Sequence, residues 1–187
     1  LLTGVCARFG GWRCQRGCSM TSPGSSSAES TPAVPISVPI GGLAAARSPG
    51  ILRTLLGSCV GLVLYDRRLL IGGLAHVVLP DSSGNGSPPG KYADTAVPAL
   101  VAELQSLAVG RPLRLTARLV GGAKMFAFQS GPAVGDLNVD ALEKLLRQAD
   151  IPVMARAVGG SKGRRMTLDV TSGQITIESV GDPASFL

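Results

Sequence analysis

One histidine in 187 residues, His76, is the tightest limit this sequence places on chemistry. It excludes every metal site built from several imidazoles, and any acid–base role for imidazole falls on that residue alone. Cysteine is scarce as well. Of the four, Cys6, Cys14 and Cys18 crowd into the first eighteen residues, and Cys59 stands alone in the rest. The N-terminal three form no CxxC pair and have no histidine to complete a zinc site, so neither a metal nor another cofactor is expected. No run approaches the roughly 18 uninterrupted apolar residues needed to span a bilayer, and membrane insertion is not expected. Charge of neither sign is clustered. The 18 Lys and Arg exceed the 12 Asp and Glu by six, but they are scattered, which does not indicate nucleic-acid binding. What is plentiful is apolar material, 45% of residues against 16% charged, enough for one well-buried domain with or without a tail.

The tail is residues 1–34. Thr21 to Pro32 is a Ser/Pro/Gly run with almost nothing to bury, which reads as a flexible linker. Arg13 and Arg16 interrupt any apolar region before it, so a secretory signal is poorly supported. Two readings stand for this segment: a disordered tail, or a start-site artefact with Met20 as the true start. The domain is then residues 35–187, with one cysteine and one histidine.

Within it, short apolar runs alternate with glycine-rich turns. Val60 to Tyr65 is a strand-length apolar run ended by Asp66-Arg67-Arg68, and Leu69 to Leu79 is a second, closed by Pro80. The polar stretch Asp81–Gly90 is a lid or a surface excursion. Ala96, Val97, Leu100, Leu104 and Leu107 fall on one helical face, with Asp94 or Thr95 as cap and Pro98 in the first turn. Leu113 to Val120 alternates as a strand. Asn138 opens a second helix that points Leu142, Leu145, Leu146 and Ala149 inward and pairs Glu143 with Arg147 on the outside. Ile151–Val158, Met166–Val170 and Gln174–Ser179 are strands, the last two a hairpin about Thr171-Ser172-Gly173. The sum is one α/β or α+β domain of about 150 residues.

Cys59 follows the turn Gly57-Ser58 at the mouth of the first strand, and His76 lies in the second. A two-residue turn at Arg67-Arg68 would oppose the two directly on one face, with Cβ atoms about 4.5–5.5 Å apart. Arg-Arg is a poor two-residue turn, and a slip of one residue would separate the pair. The chemistry of such a pair is nucleophilic: imidazole takes the thiol proton, stabilises the thiolate and later protonates the leaving group. The plainer alternative is a small buried cysteine and a satisfied structural histidine. Gly159-Gly-Ser-Lys-Gly-Arg164 lacks the phosphate-loop pattern and reads as a turn between strands, secondarily as a cleft rim.

Leu56-Gly-Ser-Cys-Val-Gly-Leu-Val-Leu-Tyr-Asp66, Gly72-Gly-Leu-Ala-His-Val-Val-Leu-Pro80 and Lys91-Tyr-Ala-Asp-Thr-Ala-Val-Pro98 together resemble the CheD chemoreceptor glutamine deamidases of bacterial chemotaxis. Gly121-Gly-Ala-Lys-Met-Phe126, Val134-Gly-Asp-Leu-Asn138 and Gly159 to Arg164 extend the resemblance in order, from about Pro39 to Ser179. It implies an α/β sandwich of mixed sheets flanked by helices, shared with a deamidating toxin and carrying a cysteine hydrolase site. It also implies a nucleophile at Cys59, a base at His76, and an orienting threonine six positions before the cysteine. This chain has Arg53 there, with Thr54 beside it, so Thr54 after a small backbone shift, or a backbone carbonyl, is left for that role. Backbone N–H groups around Gly57 and Ser58 are the oxyanion and cleft candidates.

The implied activity turns receptor glutamines into glutamates through a Cys thioester, releasing ammonia, with receptor methyl esters as a further substrate class. The implied setting is a cytoplasmic monomer acting on methyl-accepting chemotaxis receptors. Two alternatives stand beside it: a weakly catalytic or non-catalytic adaptor that regulates a CheC-type phosphatase, and a thiol hydrolase of small amides.

Overall fold

The computed structural model describes residues 34–84, 86–124 and 133–187. The readings made for residues 1–33 of the N-terminal tail, and for Met125-Phe126 of one motif, lie outside them. Among the described residues, ten strands form two mixed five-stranded sheets, accompanied by two helices. The first sheet runs β1 (Ile36–Ser37), β3 (Ile51–Leu56), β8 (Arg164–Asp169), β9 (Ile175–Ser179) and β10 (Ser185–Phe186). The second runs β2 (Leu43–Arg47), β5 (Ile71–Val77), β4 (Val60–Asp66), β6 (Thr116–Gly121) and β7 (Val153–Val158). Helices α1 (Ala93–Ala108) and α2 (Val134–Gln148) lie against the second sheet.

Alternation along the strands produces two cores. β4 is buried along its whole length, as is β5. Leu62, Leu64, Ala75 and Val77 face the helices and pack with Ala96, Val97, Leu100, Leu104, Leu142 and Leu146. Val63, Tyr65, Leu74 and Val120 face the first sheet and meet Leu52, Leu56, Met166, Leu168 and Ile175. The layers are therefore sheet, sheet, helices, and the centre layer reads as continuous apolar runs because both its faces are covered.

Several local expectations change. The β4–β5 connection is four residues, 67–70, with Asp66 opposite Ile71, not the two-residue turn Arg67-Arg68. Asp66 explains the longer turn: its buried carboxylate accepts N–H bonds from Arg68 (2.9 Å), Leu69 (3.2 Å) and Arg114 (2.7 Å). Helix α1 begins at Ala93 after Tyr92, with no side-chain cap, and Pro98 sits inside it rather than in its first turn. Asp94 instead accepts from Ser82 N–H (3.1 Å) and Oγ–H (2.7 Å), and Thr95 donates to the Pro89 carbonyl (2.8 Å), tying the 81–90 stretch to the helix. Helix α2 begins at Val134, a turn before Asn138; that side chain is fully buried and donates to the Val78 carbonyl at 2.9 Å. Ala149 is exposed at the helix end, and Glu143 pairs with Arg156 (2.5 Å) as well as Arg147 (3.6 Å).

Candidate active site

The site lies where the chain leaves one sheet for the other. Strand β3 ends at Leu56 in the first sheet, Gly57-Ser58-Cys59 crosses over, and β4 begins at Val60 in the second. Gly61 is paired with His76. The register is thus two residues from the one that would oppose Cys59 to His76 directly. A slip of two preserves the face, so Cys59 is the diagonal neighbour of His76 on the side that meets the first sheet, where it packs against the inter-sheet core.

His76 is held from every side. Its N–H donates to the Gly42 carbonyl (2.9 Å) and its carbonyl accepts from Gly41 (3.1 Å), and only 2% of the residue is exposed. Across the inter-sheet space, Thr54 Oγ1 lies 2.8 Å from His76 Nδ1 and donates its proton to the Val38 carbonyl, also at 2.8 Å. A hydroxyl has one proton. With that proton on Val38, Thr54 can only accept from the ring, so Nδ1 carries the hydrogen and Nε2 presents a lone pair. Nε2 is buried with no hydrogen-bond partner among the described residues.

Thr54 reaches the ring from within β3. Arg53, one residue earlier, is on the opposite face and donates to Thr167 Oγ1 at 3.2 Å. Burial holds the Cys59 thiol above its ordinary value and the His76 imidazole below its own. Burial thus favours the neutral form of each group.

The crossover turn is anchored by its carbonyls. Gly122 N–H donates to Cys59 O (2.8 Å) and Ala123 N–H to Gly57 O (2.9 Å). Among the described residues the Ser58 and Cys59 N–H groups take no part in that network, which leaves them available to a developing oxyanion. The anchor requires glycine: Gly121 has φ +110°, and a Cβ there would stand 2.4 Å from Cys59 O. An open groove of about 680 Å³, walled by Leu55, Lys162, Arg165 and Val180, reaches the turn at Gly57, although neither Cys59 nor His76 lines it.

Sequence reasoning missed the strand that carries Thr54; it read turns at Gly121-Gly122 and Gly159–Arg164, but not that they anchor the crossover turn at Cys59. The glycine pairs at 121–122 and 159–160 were the available signal for both turns.

The family model for CheD chemotactic sensory transduction matches residues 78–179, beginning just after His76. The chain is 44% identical over 154 residues, 79% of its length, to a protein of Desulforamulus reducens named a probable chemoreceptor glutamine deamidase CheD, 92% of which is covered. It is 41% identical over 143 residues, 76% of its length, to the chemoreceptor glutamine deamidase CheD of Thermotoga maritima, 90% covered. A probable CheD deamidase of Methanococcus vannielii is 42% identical over 144 residues, with 93% of it covered. On the family model and these near full-length matches, the chain belongs to the CheD family.

Proposed function

We propose that this protein is a chemoreceptor glutamine deamidase of chemotaxis adaptation, acting in the cytoplasm, with Cys59 as nucleophile, His76 as base and acid, and Thr54 orienting the ring. The observation that carries the reading is the Thr54–His76 hydrogen bond between the two sheets. It leaves Nε2 as a buried, unpartnered base on the face shared with Cys59. Neutral groups at rest suit this role, because the base is unprotonated and can take a proton from the thiol as the substrate arrives.

In the proposed reaction the Cys59 thiol proton passes to His76 Nε2 as sulfur bonds the carbon of a receptor glutamine side-chain amide. The resulting oxyanion is held by N–H groups of the Gly57-Ser58-Cys59 turn. Nε2–H then protonates the amide nitrogen, the C–N bond breaks, and ammonia leaves a thioester. Water gives a proton to Nε2 and its oxygen to the thioester carbon; the sulfur departs and recovers the proton. Glutamine has become glutamate, one negative charge richer on a receptor helix.

The test is the full-length chain incubated with receptor cytoplasmic fragments and read by peptide mass spectrometry. The expected result is a gain of about 1 Da at particular glutamines, abolished by Cys59→Ala. No gain with the wild-type chain would overturn the reading. Tight phosphatase binding that survives Cys59→Ala, together with no gain, would point to the adaptor, and hydrolysis of small amides alone to a different thiol hydrolase.

A further inference from the structure

The geometry points to a function for Arg164, which the deamidation chemistry does not itself use: we propose that Arg164 is a positioning residue that fixes the Cys59 turn by clasping the two sheets together at the mouth of the site. Arg164 opens β8 in the first sheet, where its backbone is paired with Leu56, the residue directly before the turn. It falls on the same face as Met166 and Leu168, which point into the inter-sheet core. From there its guanidinium reaches the second sheet. Nη1 donates to the carbonyl of Ala157 (2.7 Å) near the end of β7, and Nη2 to that of Gly159 just beyond it. A fork with two donors on two carbonyls fixes orientation as well as distance.

The segment it grips is in turn bonded to the anchor of the nucleophile. Gly159 N–H donates to Gly121 O (2.9 Å), and Gly160 O accepts from Lys124 N–H (2.7 Å). Gly122 and Ala123, between those residues, hold the carbonyls of Cys59 and Gly57. Both flanks of the turn therefore end on Arg164, one through the β3–β8 ladder and the other through its side chain. The site itself spans the same gap, because Thr54 belongs to one sheet and His76 to the other. A change in sheet separation at this end moves thiol, base and orienting hydroxyl relative to one another. A misplacement of about 1 Å in a reacting constellation costs on the order of a hundredfold.

The test uses the full-length chain and its Arg164→Gln and Arg164→Lys variants. Leu142→Ala, a core truncation under α2, serves as the control for general destabilisation. Alkylation of Cys59 by iodoacetamide is followed across pH on the Cys59 peptide by mass spectrometry, beside kcat and KM for receptor deamidation. Arg164→Gln is expected to lower kcat about tenfold or more while KM stays within about twofold. It should also move the pH midpoint of Cys59 alkylation down toward the ordinary thiol value, because a loosened turn admits water. Arg164→Lys, with a point charge in place of the fork, should fall between it and the wild type. Leu142→Ala should lower the melting temperature and leave the Cys59 midpoint in place.

Wild-type alkylation and kcat in Arg164→Gln would overturn the proposal. So would the same midpoint shift in Leu142→Ala. If Arg164→Gln does not fold, an alkylation profile in Arg164→Lys equal to wild type overturns it. The kinetic arm rests on the deamidase reading, whereas the alkylation arm needs no receptor, so failure of one is distinguishable from failure of the other.

Discussion

Thr54 has one hydroxyl proton and two demands on it, and that conflict decides the tautomer of the proposed base, His76. The Val38 carbonyl can only accept, so it takes the proton, and the His76 ring must supply its own from Nδ1. Removing the hydroxyl frees the ring to adopt the other tautomer, which has no lone pair at Nε2. A buried hydrogen bond contributes about 0.5–1.5 kcal/mol, and each 1.4 kcal/mol is tenfold in rate. Thr54→Ala is therefore expected to lower kcat by roughly tenfold with KM little changed, and Thr54→Ser to retain most activity, both measured by steady-state deamidation. The pH profile tests the neutral resting pair. Burial lowers the imidazole, so His76 stays an unprotonated base below its ordinary value of about 6.5. Burial raises the thiol, so Cys59 stays protonated past the usual range. The profile of kcat/KM should be a broad plateau, its acid limb displaced downward and its alkaline limb upward. A narrow bell centred near 7 would contradict it.

At the scale of elements, the turns carry more of the site than the strands do. Gly121 is in the left-handed region, and a Cβ added there would stand 2.4 Å from the Cys59 carbonyl oxygen. Gly121→Ala should cost about 2 kcal/mol or more in denaturant unfolding, from backbone strain plus the close approach, and should depress activity beyond that loss. Asp66 does the same service at the far end of β4. Its burial disfavours the charged form, but N–H bonds from Arg114, Leu69 and Arg68 outweigh that and hold its carboxyl below the ordinary value. A carboxyl lowered in the folded state contributes stability above its unfolded value near 4, and loses that contribution as pH falls through the folded value. Asp66→Ala should be less stable by about 3 kcal/mol at neutral pH, and the gap to wild type should narrow below about pH 4. Such turn chemistry was only partly legible. Asp66 was read as the end of a strand, and nothing in Arg67-Arg68-Leu69-Leu70 announces that a buried carboxylate organises it.

For the molecule as a whole, periodicity disclosed both helices and the apolar strands β4, β5, β7 and β9, because long one-faced or two-faced burial leaves its pattern in the residues. Strand β2, Leu43-Ala-Ala-Ala-Arg47, was not legible: alanine favours helix, and only its ladder with β5 makes this segment extended. Strand β3 was passed over too, and with it the face of Thr54. The sandwich came from the resemblance, since strand order and the β6–β7 parallel pairing arise from long-range contacts that no local window contains. Cys59 and His76 stood out through scarcity, but their relation depended on a register read two residues off. It kept the right face because the side-chain period is two. Whether Arg53 or Thr54 faces the His76 ring could be read from no count of positions, only from the direction in which β3 points its side chains.

Cys59 as the nucleophile of glutamine deamidation is tested most directly by intercepting the thioester. Receptor cytoplasmic fragments are incubated with the full-length chain in hydroxylamine, and the modified glutamines are read by mass spectrometry. Hydroxylamine should divert a thioester to the hydroxamate at the same glutamines that otherwise become glutamate, and Cys59→Ala should form neither product. Glutamate formed at the wild-type rate by Cys59→Ala, or deamidation with no hydroxamate at any hydroxylamine concentration, would contradict a Cys59 thioester.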